Sequence, residues 1–211
     1  MTSSKRMIVG VSGASGITYG VELLKALREL KIETHLVISK AGELTRACET
    51  SISSQDLKQL ADFHYHVDNL AAPIASGSFK TMGMIIAPCS MHTLGEIAHS
   101  FGGNLLTRAA DVVLKERRKL VLLVREFPLT AGHLKNMLAV TEMGGIVAPP
   151  VPAFYTMPKT IHEMVVQTIG RTLDLFDLDT NNFPRWGEDI GLQKPNPKLA
   201  VNHEVELSTH L

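Results

Sequence analysis

Apolar positions along this chain follow two rhythms, an unbroken one and a helical one. Met7-Ile8-Val9-Gly10-Val11 is continuously apolar and runs into Ser12-Gly13-Ala14-Ser15-Gly16. Such a run predicts a strand covered on both faces. Tyr19, Leu23, Leu24, Leu27 and Leu30 then recur at helical spacing. Thr34–Ser39 returns to strand character, so the first forty residues predict a βαβ unit with parallel strands.

The alternation continues less sharply. Residues 40–62 predict a helix broken near Ser51–Ser54, and residues 63–81 read as loop, with Ala75-Ser76-Gly77-Ser78 as the turn. Met82–Ala87 predicts a buried strand stopped by Pro88. Asn104–Arg118 predicts a helix, Leu120–Val124 a strand, Leu129–Met143 a helix and Ile146–Ala148 a short strand. Pro149, Pro150 and Pro152 force an extended crossing, and Ile161–Phe176 is an amphipathic helix. Residues 177–211 lack periodicity and read as a surface arm or tail. Strand alternating with helix predicts one α/β domain built on a doubly wound parallel sheet, a three-layer α/β/α arrangement.

Composition narrows the possibilities. The 211 residues carry 21 Lys+Arg against 21 Asp+Glu, and 45% are apolar. Neutrality argues against a nucleic-acid binder working through bulk positive charge, and the apolar content against a disordered acidic chain. Two cysteines suit a reducing compartment. No secretory signal or membrane-length apolar run is present in the sequence, so the expected location is cytoplasmic, without membrane partners. The charge is unevenly spread. Residues 104–126 are net +3, whereas 172–189 are net −4, an acidic arm suited to facing a neighbouring subunit.

The candidate chemistry sits beyond strand ends. Gly10, Gly13 and Gly16 let a strand turn sharply into a helix while backbone N–H groups face a crevice, with Ser12 and Ser15 as hydroxyl donors. A nicotinamide dinucleotide is disfavoured, because Ser39-Lys40 stands where a ribose-binding acid is expected, and there is no P-loop. Ser90, His92 and Thr93 follow the Met82–Ala87 strand and suit a phosphate. Cys89 reads better as a small buried residue than as a nucleophile. The nine histidines form no zinc pattern. On the 104–118 helix, Asn104, Arg108, Asp111, Lys115 and Arg118 share a face, and Arg117, Arg118 and Lys119 read as solvated. Arg125-Glu126 lies at another strand end, where Arg suits phosphate and Glu suits proton transfer.

Taken in order, Val11-Ser-Gly-Ala-Ser-Gly16, Ala75-Ser-Gly-Ser78, Pro88-Cys-Ser90, Arg108-Ala-Ala-Asp-Val-Val-Leu-Lys-Glu-Arg-Arg118, Leu122-Leu-Val-Arg-Glu126 and Pro152-Ala-Phe-Tyr155 closely resemble the UbiX family of flavin prenyltransferases over roughly residues 6–187. The resemblance implies a Rossmann-like, flavodoxin-related FMN domain over 1–187, with 188–211 as an arm or tail, and a homo-oligomer, often a dodecamer. It implies transfer of a dimethylallyl group from dimethylallyl monophosphate to N5 and C6 of reduced FMN, without a metal, to supply a UbiD-type decarboxylase in ubiquinone synthesis or aromatic-acid decarboxylation. Carried onto matching positions, FMN would be held by Gly13, Ala14, Ser15, Ser39, Ser90, Met91, His92, Thr93, Arg108 and Arg125. The prenyl phosphate would be held by Lys115, Arg125, Tyr155 and Arg171, the last two reaching a neighbouring subunit's site. Ser15, Glu49, Lys115 and Glu126 would carry the catalysis. Asp68-Asn69-Leu70 stands where some members carry an aromatic residue facing the prenyl group. Trp186 reads as an anchor for the C-terminal arm. An FMN-dependent cysteine decarboxylase and a non-catalytic flavin carrier are the alternatives.

Overall fold

The computed structural model describes residues 5–191. Its centre is a six-stranded, wholly parallel sheet in the order β3-β2-β1-β4-β5-β6. The strands are β1 (Arg6–Val11), β2 (Glu33–Ile38), β3 (Phe63–Tyr65), β4 (Gly83–Cys89), β5 (Lys119–Val124) and β6 (Ile146–Val147). The helices are α1 (Ile17–Glu29), α2 (Lys40–Glu49), α3 (Ser54–Gln59), α4 (Met91–Ala98), α5 (Leu105–Lys115), α6 (Ala131–Glu142) and α7 (Ile161–Asp174). Without the three-residue edge strand β3 the order is the flavodoxin type, and with β3 it is the Rossmann type. The chain reverses direction of winding between β1 and β4, which is where such sheets bind ligands.

Alternate residues of each central strand feed two apolar layers. Met7, Val9 and Val11 of β1 pack with Leu23, Leu24 and Leu27 of α1 and with Val165, Ile169 and Leu173 of α7. Ile8 faces the other way, toward Leu94 and Ile97 of α4, Leu105 to Val113 of α5 and Val140 of α6. This period of two explains why the strands read as unbroken apolar runs: both faces are covered. Helix α1 presses closely on β4, and a Cβ at Gly20 would lie 2.5 Å from the Ala87 carbonyl oxygen.

Several expected boundaries shift. Residues 63–65, expected as loop, form β3, paired to His35–Val37 of β2. Met91–Ala98, for which no helix was expected, is the helix α4. Pro88 does not stop its strand; β4 runs to Cys89, with a register shift between Ile86 and Cys89 that absorbs the missing proline N–H. Within the acidic arm, some carboxylates are paired inside the chain. Asp174 and Asp179 bind Arg185, and Asp177 pairs with Lys119 at 3.6 Å. The expected arm over 188–211 lies, beyond Gly191, outside the described residues. No described helix is long and apolar enough to cross a membrane.

Candidate active site

Three turns meet at the carboxyl ends of β1, β2 and β4. The first is locked by Ser12, whose fully buried hydroxyl donates to the Pro88 carbonyl at 3.1 Å and accepts from the Ser90 N–H at 2.8 Å. Ser12 therefore ties two loops together, and its hydroxyl is spent rather than offered to a ligand. Ser15 beside it is exposed. Gly13 approaches α2 so closely that a Cβ would stand 2.4 Å from that of Ala41. Gly16 takes φ 110°, a left-handed conformation that favours glycine.

Each turn delivers a helix N-terminus. Ser39 caps α2 by accepting from the Gly42 N–H at 3.0 Å, and Ser90 caps α4 by accepting from the Thr93 N–H at 3.3 Å. The Ser90 hydroxyl also reaches Thr93 Oγ1 at 3.2 Å. The leading N–H groups of α4, at Met91 and His92, have no acceptor within their own helix. No acidic residue occurs in 12–16, 39–42 or 88–93. The N-termini of α2 and α4, their hydroxyls and the lack of acidic residues within these turns suit a phosphate ester such as that of FMN.

Glu49 closes this cradle. It is the last residue of α2, and its Oε2 accepts from the N–H groups of Gly16 at 2.8 Å and Ile17 at 3.1 Å, capping α1 from another helix. Partial burial pushes its carboxyl upward. The Ser15 hydroxyl, those two N–H groups and the charge of Arg125 outweigh that and hold it below the ordinary glutamate range. Arg125 follows β5, with its N–H on the Cys89 carbonyl at 3.0 Å and its side chain exposed. Glu126 is exposed, its Oε1 accepting from the Phe127 N–H at 3.1 Å. His92 is also exposed, 3.5 Å from Glu96. Cys89 is fully buried and desolvation pushes its thiol far up, so it is no nucleophile. Among the described residues no group of three or more His, Cys, Asp or Glu could hold a metal ion.

The remaining candidates lie elsewhere. Helix α5 runs back against the sheet, so Lys115 ends beside Lys119, the first residue of β5, a strand length of about 20 Å from Arg125. There Lys115 Nζ binds Glu116 at 2.5 Å over Gly77 of the Ala75–Ser78 turn. Arg118, expected as solvated, donates to the carbonyls of Gly77 at 2.7 Å and Phe79 at 2.8 Å. Lys119 donates to the Leu175 carbonyl at 2.6 Å, so it too is engaged. Arg108, near the start of α5 and so toward the cradle end of the sheet, binds Asp111 at 2.7 Å on the same helix. Arg171 lies near the end of α7, on the opposite sheet face from α5 but toward the same sheet end, where Phe176 reaches Gly83. Tyr155 packs edge-on against Trp186, ring centroids 5.5 Å apart, and both line a cavity of about 320 Å³ with Arg171 and Arg185. Asn69 accepts from the Ala71 N–H at 3.2 Å in an exposed turn.

A family model for flavoproteins matches residues 1–171. The flavin prenyltransferase UbiX of Neisseria meningitidis is 56% identical over 182 residues, covering 86% of this chain and 96% of that protein. The chain belongs to the UbiX family of flavin prenyltransferases. Among solved structures, a UbiX named AnUbiX (PadA1), in complex with FMN and dimethylallyl pyrophosphate, superposes with a TM-score of 0.88 at 48% identity, covering 90% of this chain and all of that one. A dodecameric FMN-dependent UbiX-like decarboxylase from Escherichia coli O157:H7 does so at 0.84 and 50% identity, over 86% and 98% of the two chains. Membership of the UbiX family sets aside the cysteine decarboxylase and the flavin carrier. Sequence reasoning missed two residues next to Arg171, Asp174 and Arg185. Their only trace in the sequence is an acid closing a helix, where the dipole disfavours it.

Proposed function

We propose that this chain joins the dimethylallyl group of dimethylallyl monophosphate to N5 and C6 of reduced FMN, and that the prenylated flavin passes to a UbiD-type decarboxylase. The observation that carries this reading is the cradle of the Gly13–Gly16, Ser39 and Ser90–Thr93 turns, closed by Glu49 and Arg125. FMN, when bound and reduced, supplies the two ring positions that take the prenyl group.

The chain's own part is to hold charge and protons. Ala14, Ser15, Ser39, Ser90, Thr93 and the N–H groups of Gly13, Met91 and His92 bind the flavin phosphate and its polar edge, with Arg108 and Arg125 as cationic contacts. Departure of an allylic phosphate leaves negative charge on the leaving group, which Lys115, Arg125 and Arg171 offset with Tyr155 as a hydroxyl donor. Cationic side chains fill the place a metal would take, so chelation should leave the rate unchanged. Glu49, ionised at neutral pH, accepts a proton through Ser15, and exposed Glu126 returns protons to solvent. Lys115 and Arg171 stand at the far end of the sheet from the cradle, so they serve the site of a neighbouring subunit in a homo-oligomer, a dodecamer as in the E. coli relative.

The test is to incubate the protein anaerobically with reduced FMN and dimethylallyl monophosphate, with and without EDTA, and to weigh the flavin by mass spectrometry. A gain of one prenyl unit in both samples is expected. Bound flavin of unchanged mass would overturn the proposal.

A further inference from the structure

We infer that Asp174 and Arg185 are positioning residues for Arg171, Asp174 aiming the Arg171 guanidinium and Arg185 fixing Asp174. The inference rests on the reading above that Arg171 holds the prenyl phosphate.

Asp174 is the last residue of α7, where a carboxylate faces the negative end of the helix dipole. Such a placement is unfavourable unless a cation answers it. Arg185 does so with two prongs, Nη1 on Oδ2 and Nη2 on Oδ1, both at 2.8 Å. One turn earlier on the helix, Arg171 Nη1 donates to the same Oδ2 at 2.6 Å. With both oxygens engaged by Arg185, Asp174 cannot swing to neutralise Arg171 from another side. A guanidinium has five N–H donors, and this contact uses one edge, leaving the others for a ligand.

The anchor is itself braced. Arg185 Nη2 also binds Asp179 at 2.9 Å, and its guanidinium lies 4.7 Å over the Phe183 ring. Phe183 covers Gly170, the residue before Arg171, so tightly that a Cβ there would stand 2.1 Å from the ring. The exposures follow the same division of labour. The Arg171 side chain is 57% exposed, against 19% for Asp174 and 23% for Arg185. The gripping end is open while its support is covered. Arg171 opens on the cavity shared with Tyr155, and a long side chain ordered in advance loses less entropy on binding an anion.

Steady-state kinetics with saturating reduced FMN and varied dimethylallyl monophosphate test the inference. Asp174→Asn should raise KM for the prenyl phosphate about tenfold, as loss of one charge-assisted orienting bond would, with kcat and flavin affinity held. Arg185→Lys keeps the charge but loses the second prong, so it should raise KM in the same direction and serves if Asp174→Asn folds poorly. In an Arg171→Ala background, Asp174→Asn should add nothing. A raised KM in Arg171→Ala with an unchanged one in Asp174→Asn and Arg185→Lys would overturn the positioning role alone. An effect of Asp174→Asn that persists undiminished without Arg171 would overturn it too, as general damage. An unchanged KM in Arg171→Ala would overturn the phosphate reading beneath it.

Discussion

Glu49 caps α1 with its carboxylate, and the two N–H groups that it caps also lower its own proton affinity. A folded pKa below the unfolded value means stability that is present above the ordinary glutamate range and lost as pH falls through the depressed folded value. Glu49→Gln removes the charge but keeps the shape. Thermal melts should show the variant less stable than the parent at neutral pH, with the gap closing as the solution is acidified below the ordinary glutamate range. An equal gap at every pH would mean that shape, not charge, carries the cap. Because Glu49 is exposed, solvent screening keeps this effect small. Its capping role was not legible in the sequence, where Glu49 simply ends a polar helix. Nothing local marks a carboxylate that serves another helix 33 positions away.

At the scale of elements, Gly20 decides how α1 meets β4. Alanine would ordinarily gain about 1 kcal/mol of helix propensity over glycine. Here a Cβ would meet the Ala87 carbonyl oxygen at 2.5 Å, a backbone atom held in the sheet's centre. Overpacking of this kind costs about 1–3 kcal/mol, more where backbone must shift, so the clash should win. Gly20→Ala is therefore expected to lose about 1–2 kcal/mol in urea unfolding, the balance of these opposed effects. A gain in stability would show that the helix can step back. Glycine at this position reads in the sequence only as an interruption of a helical stripe. The long buried strands and α1, α5 and α7 were legible, since each exposes its period over several turns or a full apolar run. Strand β3 was not: three residues, largely exposed at the sheet edge, carry no alternation. Helix α4 was hidden by its eight-residue length and by Pro88-Cys89-Ser90, whose turn chemistry dominates the local pattern. The Gly13–Gly16 and Ser90–Thr93 turns were legible because both ends of the chemistry, small residues and hydroxyls, are local in sequence.

For the whole molecule, the two sheet ends divide the candidate residues into a flavin cradle and a remote set holding Lys115 and Arg171. Sequence order says nothing of that separation, since Lys115 and Arg125 are ten positions apart yet a strand apart in space. Lys115→Ala and Arg125→Ala should each be nearly inactive alone, while remaining folded and oligomeric. Dissociated, mixed and reassembled in equal amounts, they should recover activity, with about a quarter of the sites intact by random assortment in a symmetric assembly. No recovery would place both side chains in one protomer's site. The same division carries a genetic consequence. A chain lacking only Lys115 would fold, assemble and bind flavin, yet it would silence a centre whose flavin sits in an intact sibling. Expressed beside the normal gene, such an allele would nonetheless act as recessive, because each defective chain lends its own intact cradle to the Lys115 of a sound sibling and the number of working centres stays equal to the number of normal chains.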